Sequence, residues 1–383
     1  MIARPTYLDL LSRRLQQFPV VGLVGARQVG KTTLSRMLGG QHGGTTTFFD
    51  LEDPRHLARL AEPMLALERL QGLVVIDEVQ RMPQLMEVLR VLADRPDQPA
   101  RFLILGSASP DLVQRSAETL AGRIAYVELS GLAIREVGEN SIEKLWMRGG
   151  LPPSFLAPTD GESAIWLREF VRTFLERDIP QMGFRAPALT LRRFWTMLAH
   201  SHGQILNLSE LGRAMGVADT TIRGYLDLLS GFFVVRQLQP WHENLKKRQV
   251  RRSKVYLSDS GLLHSLLGLD SPEELAGHPK VGASFEGFAL SETIRTVGAE
   301  PEDCYFWATH AGAELDLLIA KGKNRRGIEF KRTDSPRVTR SMHIAMSDLR
   351  LDRLDVVHAG RDTFPLAERI MAVPISRLRD LQS

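Results

Sequence analysis

Residues 20–34 read VVGLVGARQVGKTTL. An apolar run, Val20 to Val24, leads into Gly25-Ala26-Arg27-Gln28-Val29-Gly30-Lys31-Thr32. That octet is G-x-x-x-x-G-K-T, a phosphate-binding loop. Its surroundings are those the loop needs, with a buried strand before it and a helix-compatible segment from Thr33 to Leu38 after it. Gly25 and Gly30 let the backbone curl until its N–H groups point inward at an anion. The following helix adds the positive end of its dipole. Lys31 is then set against the outer phosphates of ATP, and the Thr32 hydroxyl against Mg2+. The whole stretch from Gly25 to Thr33 is assigned to nucleotide binding. A glycine-rich turn with a surface lysine is the plainer reading, and the agreement of strand, loop and helix argues against it.

Outward from the loop, residues 73–78 read LVVIDE. A continuous apolar run is the pattern of a parallel strand buried on both faces. Ligands sit at the C-terminal ends of such strands. This is the pattern of a Walker B strand, in which Asp77 holds Mg2+ through water and Glu78 activates the attacking water. Asp-Glu as a mere helix start is the alternative. A third run, 102–107, FLILGS, ends in Ser107, a candidate sensor for the γ-phosphate or the attacking water. A simple strand-end turn is the other reading of that site. A helix is expected over 112–120, then Gly122-Arg123, then a fifth strand over 124–129.

The chain has 383 residues, more than one core accommodates, so two to four domains are expected. Hydrophobic residues at 43% and charged residues at 25% are an ordinary globular balance. No apolar run approaches membrane-spanning length, and the first residues lack a signal-peptide core. The expectation is a cytoplasmic protein without membrane contact. A single cysteine, Cys304, excludes an internal disulfide and a thiolate metal cluster. A net charge of +4 is too mild to argue for nucleic acid, so local clustering must carry that argument.

These pieces resemble the AAA+ ATPases. They resemble more closely a bacterial and archaeal group whose C-terminal domain, of uncharacterised function, is related to PD-(D/E)xK nucleases. The similar segments are GARQVGKTTL, VVIDEVQRMP, FLILGSAS, LAGRIAYVEL, GGLPPSFL, FLERDI, PKVGASFEGF and AELDLLIA…GIEFK, spread over nearly the whole chain. The resemblance implies a five-stranded parallel sheet and assembly into a ring or smaller homo-oligomer. It also implies that Arg123, before the fifth strand, reaches into the neighbouring subunit's nucleotide site, where a cation stabilises transition-state charge. A helix-terminal arginine answering the dipole is the alternative. Within its own subunit Arg123 has no obvious use. Arg177, in FLERDI on a helix expected over 166–179, matches a second sensor arginine, though a solvated helix face is the more common meaning.

From residue 189 the pattern changes. Residues 209–226 read as helix, glycine turn, helix, and resemble the helix-turn-helix of winged-helix DNA-binding domains. Thr220, Thr221 and Arg223 are presented early on the second helix, which Asp219 can cap. Strands over 232–236 and 255–257 supply the wing. Between them lies KKRQVRRSK, 246–254, with no acid in it. Lys246, Lys247, Arg248, Arg251, Arg252 and Lys254 are assigned to DNA phosphates, whatever the base sequence. A solvated hairpin tip or a protein-docking surface remains open for the same run.

Residues 314–320 and 325–331 read as two strands around the turn Lys321-Gly322-Lys323-Asn324. A symmetric hairpin sets Ala320 opposite Arg325, and hence Asp316 opposite Glu329. Alternation puts Glu329 and Lys331 on one face. Two carboxylates and a lysine converge, as in PD-(D/E)xK nucleases, with the match D-x12-E-F-K. The resemblance adds Glu286 from an upstream helix. Glu286, Asp316 and Glu329 are assigned to a second Mg2+, with Lys331 positioning water or phosphate.

The expected architecture is α/β multidomain. An AAA+ P-loop core occupies 1–138 and a helical lid 139–188. A winged helix follows over 189–258, then a restriction-endonuclease-like α/β domain over 259–383. The leading functional expectation is a Mg-dependent ATPase acting as an oligomeric DNA motor or remodeller. An ATP-gated nuclease and a signalling ATPase whose C-terminal modules bind a protein are the alternatives.

Overall fold

In the computed structural model, which describes residues 2–96, 99–108, 120–184, 186–242 and 249–382, the run Val20–Val24 forms a strand, β1, buried at every position. It belongs to the first of two compact units, which comprises 1–132 with 227–234; the second comprises 133–226 with 235–383. Four further strands complete the sheet of the first unit: β2 (Thr46–Asp50), β3 (Gly72–Asp77), β4 (Ala100–Gly106) and β5 (Ile124–Glu128). Their order is β2-β3-β4-β1-β5 and every pairing is parallel. This is the five-stranded parallel sheet that the resemblance implies, its apolar runs buried as strands.

The register decides what the sheet can do. Val24 lies beside Gly106, and Ile76 beside Ile104. The glycine loop after β1, Asp77-Glu78 at the end of β3 and Ser107 after β4 therefore share one edge of the sheet. The helix Lys31–Gln41 starts directly from the loop. Two short helices, Pro54–Arg59 and Pro63–Leu67, follow β2. Each starts on a proline, whose fixed φ suits a first helical position. The helix expected over 112–120 falls, up to residue 119, outside the described residues. Below the sheet Val74, Ile76, Leu85, Leu89 and Phe102 form the centre of a buried apolar cluster.

The second unit opens with helices. Thr159 and Glu162 form a reciprocal cap on Asp160–Thr173, which runs on as a π-helical turn, Phe174–Asp178, carrying Arg177. Helices Ala188–His200, Leu208–Met215 and Asp219–Gly231 follow. Its strands are β6 (Gln204–Ile205), β7 (Val235–Pro240), β8 (Lys254–Leu257), β9 (Cys304–Ala308), β10 (Glu314–Lys321), β11 (Asn324–Lys331), β12 (Arg353–His358), β13 (Phe364–Ala367) and β14 (Ile370–Pro374). The strand expected from 232 begins only at Val235, because Phe233 takes a left-handed conformation at φ 62°. All nine strands form one sheet, ordered β13-β14-β12-β11-β10-β9-β7-β8-β6. The parallel pairing of Gln239 with Tyr305 and Pro240 with Phe306 carries that sheet through residue 258, where the sequence suggests a domain boundary. No helix among the described residues is long and apolar enough to cross a membrane.

Phe102 is fully buried at the centre of its cluster, so Phe102→Ala leaves a cavity and costs about 3–5 kcal/mol. Leu65 is 67% exposed, and Leu65→Ala stays within about 0.5 kcal/mol. Urea unfolding of both variants measures the contrast; equal midpoints would remove Phe102 from the core.

Candidate functional site

The glycine loop is strained where phosphate binding needs it to be. Gly25 has φ +149°, and a Cβ there would lie 2.3 Å from the Leu129 carbonyl oxygen. Gly30, at φ +100°, delivers the chain into the helix Lys31–Gln41. Gln28 is left-handed as well. Between them Ala26 and Arg27 are half-buried, Val29 is buried and Thr33 is exposed at the start of the helix.

Lys31 is buried, and its ammonium donates to the carbonyls of Gly25 at 2.9 Å and Ala26 at 3.0 Å. Burial lowers its pKa to about 8, against the pull of Glu78 and Asp77. Neutral carbonyls compensate a buried cation only in part, so this lysine is poised to receive an anion. Thr32 donates its hydroxyl to Asp77 Oδ2 at 2.6 Å, and the Glu78 amide donates to Asp77 Oδ1 at 2.9 Å. Burial raises the pKa of Asp77, offset by these two bonds. The hydroxyl and carboxylate are hard oxygens held side by side, a donor set that fits Mg2+.

Glu78 stands at φ 56° and starts a single 3-10 turn, Val79–Arg81. Burial raises its carboxyl pKa; Lys31 opposes the shift. A residue not singled out in the sequence, Gln80, donates through Nε2 to Glu78 Oε2 and to Ser107 Oγ, the latter at 3.3 Å. Ser107 is thus brought to Glu78 through a side chain. Its position two residues after the Walker B glutamate was the only signal that could have drawn attention to Gln80.

Arg123 does have a partner in its own chain. It makes a forked ion pair with Asp94, at 2.6 and 2.9 Å, on the protein surface. The expectation that it lacks a use within its own subunit is corrected by that pair, which answers a planar guanidinium with a planar carboxylate.

In the second unit the hairpin forms with the expected register, Ala320 opposite Arg325, around a tight turn at Gly322-Lys323. One step beyond the last rung of the hairpin, Leu317 with Ile328, stand Asp316 and Glu329. The Phe330 amide donates to Asp316 Oδ2 at 3.0 Å. Lys331 lies 2.8 Å from Glu329 and 3.9 Å from Asp316. Glu286, on the helix Val281–Val297, accepts a hydrogen bond from the Tyr256 hydroxyl at 2.7 Å.

The DNA assignment of Lys254 is overturned. Its ammonium is buried, 3.5 Å from Glu286 and 3.5 Å from Asp316, with Glu314 in direct contact. The reason is that β8 turns this residue inward, where only paired charges are tolerated. Burial alone would lower its pKa, but Tyr256, Asp316, Glu286 and Glu314 together hold it well above its ordinary value. The metal assignment of Glu286, Asp316 and Glu329 is corrected by the same observation. The Lys254 ammonium stands between Glu286 and Asp316, Glu329 pairs with Lys331, and among the described residues no trio of His, Cys, Asp or Glu is placed to hold a metal ion. Burial followed by the proximity of Asp316 raises the pKa of Glu286 and of Glu329. Glu314 could have been found by alternation, since it shares a strand face with Asp316.

A cleft of about 590 Å³ lies between the helix-turn-helix segment and β7–β8, lined among others by Asn207, Asp219, Arg223, Gln237, Arg251 and Arg252. Ser209 donates to Asp219 at 2.6 Å, fixing the start of the second helix. Thr220, Arg223, Arg251 and Arg252 are exposed, and Thr221 is half-buried. Lys246, Lys247 and Arg248 lie outside the described residues.

Residues 17–138 match the AAA domain family. Residues 139–273 match a domain of unknown function, DUF8612, and residues 281–378 a second, DUF4143. Two relatives, Rv2008c of Mycobacterium tuberculosis and Mb2031c of Mycobacterium bovis, are each 52% identical over 378 residues, 99% of this chain and 85% of theirs. Both carry the description "uncharacterized protein". Among solved structures, the Walker-type ATPase PABY2304 of Pyrococcus abyssi overlaps 70% of this chain and 96% of its own, at 14% identity and a TM-score of 0.49. With its parallel sheet and phosphate loop, the chain is a P-loop ATPase of AAA type by fold, and it belongs to the family of Rv2008c and Mb2031c.

Proposed function

We propose that this protein is a Mg-dependent ATPase that works on DNA as a homo-oligomer. The observation that carries the hydrolase reading is the meeting of Lys31, Thr32, Asp77, Glu78 and Ser107 at one edge of the parallel sheet. Lys31 exchanges two carbonyls for phosphate oxygens. Thr32, and Asp77 through water, would hold Mg2+, which would supply positive charge to the outer phosphates. Glu78 accepts a proton as the water oxygen attacks the γ-phosphorus, and the bond to the departing ADP oxygen breaks. Ser107 donates its hydroxyl to a γ-oxygen.

DNA enters through the cleft of the second unit, where Arg223, Arg251 and Arg252 face solvent on one side of a helix-turn-helix. A winged-helix reading is supported by the helices 188–200, 208–215 and 219–231 and by the antiparallel pairing of β8 with β6 and β7. The hairpin cluster supports a nuclease-like fold that binds without cutting, because Lys254 occupies the cation position among its carboxylates. Arg123 serves a neighbouring subunit by exchanging Asp94 for the neighbour's phosphate. That exchange is easy because the pair is exposed to water.

Four measurements follow from this reading. Lys31→Ala abolishes ATP turnover, and Glu78→Gln keeps nucleotide binding while losing turnover by about 10²–10⁴. The parent is stimulated by at least one of single-stranded, duplex or four-way-junction DNA, and gels from the same tubes show intact DNA. No stimulation by any form would sink the DNA reading and favour a protein-directed switch; Mg-dependent cutting lost in Asp316→Ala would favour the nuclease. The double variant Arg251→Ala, Arg252→Ala weakens duplex binding by fluorescence anisotropy, and its slope of log affinity against log salt falls by about 2. An unchanged slope removes these arginines from the interface. Arg123→Ala and Lys31→Ala are each inactive alone but regain turnover when mixed, since one supplies the loop and the other the arginine. Silence of the mixture would confine Arg123 to its own subunit.

A further inference from the structure

We infer that Gln80 is a positioning residue for ATP hydrolysis, fixing Glu78 and Ser107 relative to one another and to the attacking water. The inference rests on the ATPase reading above and adds a residue to its machinery. Gln80 sits at the middle of the 3-10 turn that follows Glu78, so its side chain returns toward the sheet edge. Its amide nitrogen has two donors and uses both, one to Glu78 Oε2 and one to Ser107 Oγ. One planar group therefore ties the end of β3 to the end of β4, the two strand ends between which the γ-phosphate must lie.

The direction of the bonds matters. Ser107 accepts from Gln80, which leaves its own hydroxyl proton to donate to a phosphate oxygen. Glu78 has one oxygen held by the amide, which leaves the other to accept a proton from water. The remaining atom of the amide, Oε1, is buried and accepts no hydrogen bond among the described residues. It lies at the end of β4, 3.5 Å from where a Cβ on Gly106 would be, an ordinary contact distance. A buried carbonyl oxygen without a donor is costly to keep.

Gln80→Met keeps the length of the side chain and removes both donors and the acceptor. Its kcat for ATP falls by about tenfold or more while KM stays within about twofold, because Gln80 holds the base and Ser107 rather than the bound nucleotide. Ser107→Ala also lowers kcat, and the double variant falls little below the worse single one, since either change breaks the same bridge. Gln80→Asn keeps the amide but is one methylene too short to span both partners, and it gives an independent value should the Met variant fold poorly. A kcat within about twofold of the parent in both Gln80 variants overturns the inference, as does a rise in KM matching the fall in kcat, or full additivity with Ser107→Ala. A parent chain without turnover overturns the hydrolase reading and this inference together. Turnover indifferent to Gln80 overturns the inference alone.

Discussion

The hydrogen bond from Thr32 to Asp77 joins the end of the phosphate loop to the end of β3, across the width of β4. It exists only in one register of three parallel strands. Those strands are Val/Leu/Ile-rich on both faces, so apolar burial alone distinguishes weakly between that register and a slipped one. The polar groups at the strand ends supply the missing discrimination. A slip by one residue would bury Asp77 without Thr32 or leave the hydroxyl without an acceptor, and a buried unpaired carboxylate is costly. The catalytic edge therefore helps to set the sheet that builds it. The αL backbone of Glu78 belongs to the same arrangement, because it lets the Glu78 amide turn back onto Asp77 while the side chain continues toward Gln80.

Two buried lysines illustrate how environment decides role. Lys31 meets only carbonyl oxygens and has its pKa lowered to about 8. Lys254 meets three carboxylates and is held well above its ordinary value. Desolvation penalises both. In the first case it is under-compensated, and an arriving polyanion completes the site. In the second it is already answered from within the chain, and an additional cation would have to displace an ammonium tethered to β8. A stable internal pair is the simpler assignment for Lys254, even though its neighbours include residues matching a metal-dependent nuclease.

The first unit was legible because its chemistry is contiguous in sequence. Gly25 to Thr32 is one loop, and Asp77-Glu78 closes one apolar run, so each motif carried its own context. Ser107 was reached by analogy of pattern, a third apolar run ending in a small polar residue. Gln80 was not, since a glutamine in a turn has no compositional signature and its meaning is a distance to another strand. The register of the β10–β11 hairpin was legible for a different reason. A hairpin of local register converts a count of residues into a cross-strand neighbour, and the observed rungs run as counted. What counting could not supply was β9 joining β7, because a parallel contact between strands far apart in the chain has no local signal.

The basic run ending at residue 254 marks the limit of reading charge from composition. Arg251, Arg252 and Lys254 look equivalent in KKRQVRRSK, and all three were assigned to phosphate. The chain enters β8 at Lys254, and from there alternation and sheet pairing govern where side chains go. Arg251 and Arg252 precede the strand and remain in solvent, whereas Lys254 is drawn under it. The compensating charges come from Glu286, Glu314 and Asp316, which stand 30 or more residues later; of these, Glu286 and Asp316 had been read as part of a separate site. Two motifs that seemed independent, a basic loop and an acidic hairpin, are thus halves of one electrostatic arrangement. The net charge of a segment can be assigned to a partner molecule only after the charges that the fold itself neutralises have been removed from the count.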